Sequence, residues 1–198
     1  MENIKKQYPY DDILIVYKCG SSAFGIVTDK SDLDYVVVLK EYKGFDHFQV
    51  NDNEYFVFGI KQWIAKMEFA DNLPPYYTMF NDEILAFPES IVYLADAFKS
   101  TVDKYVNRDF KDVYKKWLST NVEYFEDYLL RNICTKSLYH IFRVKDMIER
   151  YKKNGVFSHN MSNETRELIN EYKNSDDFSK YKNKLLNDFN VIKQELKE

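Results

Sequence analysis

Two kinds of hydrophobic pattern divide this chain, and the division limits the folds open to it. In the first half, short apolar runs alternate with turn residues; in the second, long stretches repeat with helical period. Together they predict an α+β fold, a small mixed β-sheet core with flanking helices followed by an α-helical C-terminal half. The expected boundary separates a sheet-bearing core at 1–88 from a helical region at 89–198 packed on it. A chain of 198 residues can bury such a core without a disulfide staple.

Apolar runs predict strands over 13–18, 33–40 and 54–60. Between the first two, Ser22 to Phe24 begin a short helix, with Gly20 and Gly25 as flexible punctuation. A helix is expected over 61–70, stopping before Pro74 and Pro75, and then an aromatic, irregular stretch over 76–88. Further helices are expected over 89–105, 108–130 and 133–153. The middle one carries Tyr114, Trp117, Leu118, Val122, Phe125 and Leu129 along one stripe, the mark of a core-facing helix. Ser162 caps a short helix with Glu164 in its first turn, and Phe178, Tyr181, Leu185, Phe189, Ile192 and Leu196 outline a last amphipathic one.

Composition narrows the function classes. A net charge of −4 argues against a large non-specific nucleic-acid footprint. The two cysteines, Cys19 and Cys134, have no paired metal-ligand spacing, so both are expected to be small buried apolar residues in a reducing compartment, with no zinc site. No apolar run approaches the roughly 20 residues of a membrane span, and Met1 to Lys6 lack a signal-peptide apolar core. A soluble, cytoplasmic protein with no membrane partner is expected.

The chemistry concentrates between Cys19 and Asp34. In a strand, side chains two apart share a face, so Asp32 and Asp34 point the same way while Leu33 turns to the core. Two neighbouring carboxylates repel unless a cation lies between them, and paired divalent ions are the usual solution in phosphoryl-transfer sites. Taken alone, Ser-Asp-Leu-Asp also fits a solvated turn. Upstream, Gly20, Ser21 and Ser22 open a turn after an apolar strand. Glycine permits close backbone approach to a phosphate, and serine adds a hydroxyl donor.

Gly20-Ser21 through Ser31-Asp32-Leu33-Asp34 resembles the signature of the DNA polymerase β-like nucleotidyltransferase superfamily. The fuller string, Gly-Ser-Ser-Ala-Phe-Gly followed by Ser-Asp-Leu-Asp-Tyr, is similar to that of a branch of small bacterial and phage nucleotidyltransferases. The resemblance implies a nucleotidyltransferase-type core, two Mg²⁺ ions with Mn²⁺ as a substitute, and a nucleoside triphosphate donor, ATP by default. A nucleoside monophosphate would pass to an acceptor hydroxyl with release of pyrophosphate. Gly20, Ser21 and Ser22 would hold the donor phosphates, and Asp32 and Asp34 the metals. A third carboxylate is implied on a neighbouring strand; Glu54 stands where that branch carries an acid, with Asp52 as its rival. Lys136, His140 and Arg143 fall at i, i+4 and i+7, on one face of a predicted helix. The resemblance makes Lys136 and Arg143 a clamp on the nucleotide, with His140 as a spacer. His47 and His159 fall in expected loops with no case as ligand or base. The acceptor stays open among a protein, an RNA end and a small molecule, with Tyr76, Tyr77 and Phe80 as a candidate stacking surface. The alternative is a non-catalytic binding or antitoxin-type module on the same fold.

Overall fold

The computed structural model describes residues 2–28, 31–70, 81–131 and 135–198. Its contacts fall into two compact units, one built mainly from residues up to Asp109 and the other from Phe110 onward. The first holds a β-sheet and the second is helical, as the two hydrophobic patterns require.

Five strands make the sheet: β1 (Ile13–Cys19), β2 (Leu33–Leu39), β3 (Phe45–Val50), β4 (Asn53–Gly59) and β5 (Ile91–Leu94). Their spatial order is β3-β4-β2-β1-β5. β1 runs antiparallel to β2 and β5, β3 antiparallel to β4, while β2 and β4 form the parallel pair. The chain leaves β2, skips one strand position and returns as the edge strand β3. A tight turn at Asn51 and Asp52 then feeds β4 into the gap, with Asn51 at φ 56°, a left-handed backbone that asparagine tolerates.

The three strands expected from apolar runs are present. Two others escape the sequence pattern. Phe45–Val50 carries Asp46, His47 and Gln49, and becomes a strand because β4 supplies its hydrogen bonds. Residues 91–94 lie where a helix over 89–105 is expected, yet they form the edge strand β5. Lys18 N donates to Ser90 O at 2.8 Å and Ala95 N to Leu14 O at 2.9 Å, so the open edge of β1 overrides the helical spacing. Helix resumes only at α4 (Lys99–Val106), after a 3-10 turn at Asp96–Phe98.

Period-2 alternation gives the sheet two distinct faces. On one, α1 (Glu2–Lys5) lays Ile4 against Val16, Val37, Leu39, Tyr55 and Val57. Tyr35, Tyr55 and Phe48, register partners across β2, β4 and β3, stack there with centroids 5.4 and 4.8 Å apart. The opposite face is covered by α3 (Ile60–Met67), whose Trp63 is fully buried and donates from Nε1 to the Tyr17 hydroxyl at 3.2 Å. Between β1 and β2 lies α2 (Gly20–Ala23), a single turn.

In the helical unit, α5 (Tyr114–Leu130) buries Tyr114, Trp117, Leu118, Val122 and Phe125 of the expected stripe, while Leu129 is only partly buried. α6 (Tyr139–Asn154) ends on Gly155, whose φ of 70° lets its N–H cap Tyr151 O at 2.7 Å. α7 (Asn163–Lys173) is capped by the Ser162 side chain accepting from Thr165 N at 3.2 Å, and α8 (Lys182–Lys197) follows a 3-10 turn at Phe178–Tyr181. The helix expected over 133–153 starts late: Lys136–Leu138 is a 3-10 turn, and α6 begins at Tyr139.

Candidate active site

Strand register sets a row of side chains across the sheet. Cys19 pairs with Asp34, Asp34 with Glu54, and Glu54 with Gln49, so all four project from the face that α3 covers, at its uncovered end. Asp34 and Glu54 sit on adjacent parallel strands, about 4.8 Å apart at the backbone. Both are half-buried. Asp52 lies instead in the exposed hairpin turn, its carbonyl accepting from Leu33 N at 3.3 Å.

Asp32 precedes β2 and is exposed. Leu33 does not turn into the core as expected. It is 37 % exposed, because the first residue of β2 extends past the packed part of the sheet beside Asn53. Among the described residues, no three His, Cys, Asp or Glu side chains gather closely enough to hold a metal ion.

Gly20 explains why Asp34 lies where it does. Its φ is +56°, and a Cβ built on it would lie 2.2 Å from Asp34 Oδ2. The carboxylate is seated against the backbone turn, in space that only glycine leaves open. Ser22 Oγ donates to Cys19 O at 2.9 Å, so its proton braces this turn. Ile26 N closes it on Ser21 O at 3.0 Å.

His47, expected in a loop without a role, lies in β3 with Nε2 3.5 Å from Glu54 Oε2. Its ring stacks on its register partner Phe56, centroids 4.8 Å apart.

Behind the row is a buried polar group that periodicity does not isolate. Lys66 Nζ pairs with Glu83 Oε2 at 3.6 Å, both nearly inaccessible, and Asn81 Nδ2 donates to Lys66 O. Burial pushes the Cys19 thiol well above its ordinary range; Glu83 and Asp34 add to the rise, Lys66 opposes it, and Glu54 adds again. Cys19 therefore lies within electrostatic reach of both acid groups. The sequence signal was Lys66 itself, a cation at i+3 from Trp63 on the buried stripe of α3. Removing one member strands a buried charge, so Glu83→Gln is expected to lower unfolding stability by about 3 kcal/mol in urea titration. Lys66→Met with Glu83→Leu is expected to recover most of that loss.

The helical unit corrects the reading of Lys136, His140 and Arg143. Lys136 stands in the 3-10 turn before α6, so the three do not share one α-helical face. Arg143 is 0 % exposed, its Nε donating to His140 Nδ1 at 3.1 Å and an Nη lying 3.3 Å from Met147 Sδ. His140 and Arg143 are thus buried in their unit, while Lys136 is partly exposed. His140 is buried, and burial, then Arg143, then Lys173, holds its pKa well below the ordinary 6.5. Below that value the unfolded chain takes up a proton that the folded one refuses, so stability falls as pH drops through it. The urea midpoint is expected to decline between about pH 7.5 and pH 5.5, and to decline less in His140→Gln.

Tyr76, Tyr77, Phe80 and Cys134 lie outside the described residues; Cys19 is buried, as expected. Among the described residues, no helix is long and apolar enough to cross a membrane.

No protein-family profile and no curated protein sequence matches the chain. Among solved structures, the fold is similar to the crystal structure of a nucleotidyltransferase-like protein from Exiguobacterium sibiricum, at 10 % sequence identity and a TM-score of 0.35. That alignment covers 98 % of this chain and 73 % of the other.

Proposed function

We propose that the protein is a metal-dependent nucleotidyltransferase working at the β1–β2–β4 end of its sheet. The observation that carries the reading is the register of Asp34 and Glu54, two acids side by side on parallel strands, with Gly20 leaving room for the first. Hard carboxylate oxygens suit Mg²⁺, which commonly takes one or two carboxylates and completes its shell with water and substrate phosphate. The donor set therefore fits the ion without a closed three-acid cage. Asp34 and Glu54 would hold the metal, and Asp32 would join them from the strand mouth. When bound, a pair of ions would stabilise the charge on attacking and leaving oxygens.

The chain's own part is orientation. Backbone groups of the Gly20–Ser21 turn face the donor's β- and γ-phosphates, with ATP the default donor. Glu54 stands on the acceptor side. The acceptor hydroxyl oxygen forms the new bond to the α-phosphorus, the bond between that phosphorus and its bridging oxygen breaks, and pyrophosphate leaves. Glu54 takes the hydroxyl proton. His47, with Nε2 3.5 Å from Glu54 Oε2, would help orient that carboxylate.

Incubation with each α-labelled nucleoside triphosphate and Mg²⁺, with cell extract split into RNA, protein and small-molecule fractions, tests the proposal. Label is expected in one fraction and absent with EDTA. A second reading, a non-catalytic binding module, is favoured by one observation: the described acids do not form a three-carboxylate group. Calorimetry that finds no metal-dependent nucleotide binding, together with no label in any fraction, would support the module instead.

A further inference from the structure

Glu54 has an aromatic neighbour on its own face of the sheet. Beside the row Asp34–Glu54–Gln49 runs the row Val36–Phe56–His47, on the same face because each of its members lies two residues along its strand from the first row. Phe56 and His47 stack with centroids 4.8 Å apart and planes within 16°. β3 is an edge strand, so the row ends at His47 and the second face of its ring turns outward. That face is open. The His47 side chain is 44 % exposed although Phe56 covers its first face, and among the described residues no other ring stacks on it.

We propose that the outer face of His47 seats the base of a nucleoside acceptor, whose ribose hydroxyl gives its proton to Glu54 and its oxygen to the α-phosphorus as pyrophosphate leaves. This rests on the nucleotidyl transfer proposed above and names its acceptor. A base laid on His47 becomes the third ring of the stack, and such stacking accepts any base because each has a flat π face. The base then lies one stacking distance from a ring whose Nε2 is 3.5 Å from Glu54 Oε2, which brings the attached ribose to the acceptor side of the site.

Two neighbours select among possible occupants of this edge. Gln49, exposed and in register with Glu54, carries a carboxamide whose donor and acceptor match the polar edge of a base. A phenol would stack as well but has no such edge. The His47 N–H already donates to Asp46 Oδ1 at 2.8 Å, which removes a donor that pairing with a further strand would need.

Titration of the full chain with adenosine, uridine, ribose and N-acetyltyrosinamide, read from the ring protons of His47, tests the seat without requiring turnover. Both nucleosides are expected to move these protons upfield saturably, and ribose to leave them in place. Followed through the ligand's own resonances, His47→Ala should weaken nucleoside binding about tenfold and His47→Phe should restore it. The position is exposed, so neither change enters the core. In label transfer to adenosine, His47→Ala should raise the acceptor KM and leave the KM for ATP unchanged. His47→Phe should recover the acceptor KM but not kcat, because a phenyl ring stacks without holding Glu54. Four results would each overturn the proposal: unmoved His47 protons; equal shifts with ribose; undiminished binding by His47→Ala; or tighter binding of N-acetyltyrosinamide than of either nucleoside. Nucleoside binding at His47 without label transfer would keep the seat and remove the activity, and transfer to an acceptor that leaves His47 unmoved would do the reverse.

Discussion

Asp34→Asn is expected to reduce nucleotidyl transfer about a thousandfold, comparable to losing a principal electrostatic contributor in other enzymes, while leaving the fold intact. The side chain is half-buried at the end of the sheet and its register neighbour Glu54 is also acidic. Neutralising one of two adjacent carboxylates relieves repulsion in the apo protein, so the urea midpoint should hold or rise slightly. What should disappear is stabilisation by ligand. Saturating Mg²⁺ and nucleoside triphosphate at about a hundred times the dissociation constant should add roughly 2.7 kcal/mol to the wild type and almost nothing to the variant. Thermal melts with and without Mg²⁺-nucleotide measure this directly. Equal stabilisation of both proteins would place the nucleotide elsewhere.

Gly20→Ala should come close to that effect by a different route. The new Cβ would lie 2.2 Å from Asp34 Oδ2, so the carboxylate must leave its seat. The backbone adds its own penalty, since a left-handed φ of +56° costs an L-residue about 1–2 kcal/mol. Displacing an acid by about an ångström is enough to cost transfer on the order of a hundredfold. Transfer and melting temperature should therefore fall together, unlike Asp34→Asn, in which only transfer falls. Gly155→Ala is the control for backbone strain alone, because it shares a positive φ but has nothing within 4 Å of the added carbon. It should lower stability and spare transfer.

The two variants also show what could be seen in the sequence. Gly20 and Asp34 stand out as a glycine turn and an acid at a strand entry, and the structure brings them into contact. Glu54 was legible as an acid before an apolar strand, but its preference over Asp52 depends on a hairpin. That turn puts Asp52 in exposed loop and Glu54 in register with Asp34. His47 gave no signal, because a strand rich in polar residues is recognised only by the neighbour that pairs with it. Arg143 gave a misleading one. Its spacing from Lys136 assumes an unbroken α-helix, and the 3-10 turn at Lys136–Leu138 removes that assumption.

Local physics determined β1, β2, β4, the Trp117 stripe of α5 and the Ser162 cap, since apolar period and capping chemistry act within a few residues. Tertiary structure decided whatever depends on a partner distant in sequence. The open edge of β1 made a strand of Ile91–Leu94, β4 made one of Phe45–Val50, and parallel pairing put Glu54 beside Asp34. A backbone hydrogen bond and a buried charge are satisfied by whatever the fold brings near them, and spacing along the chain does not encode that neighbour.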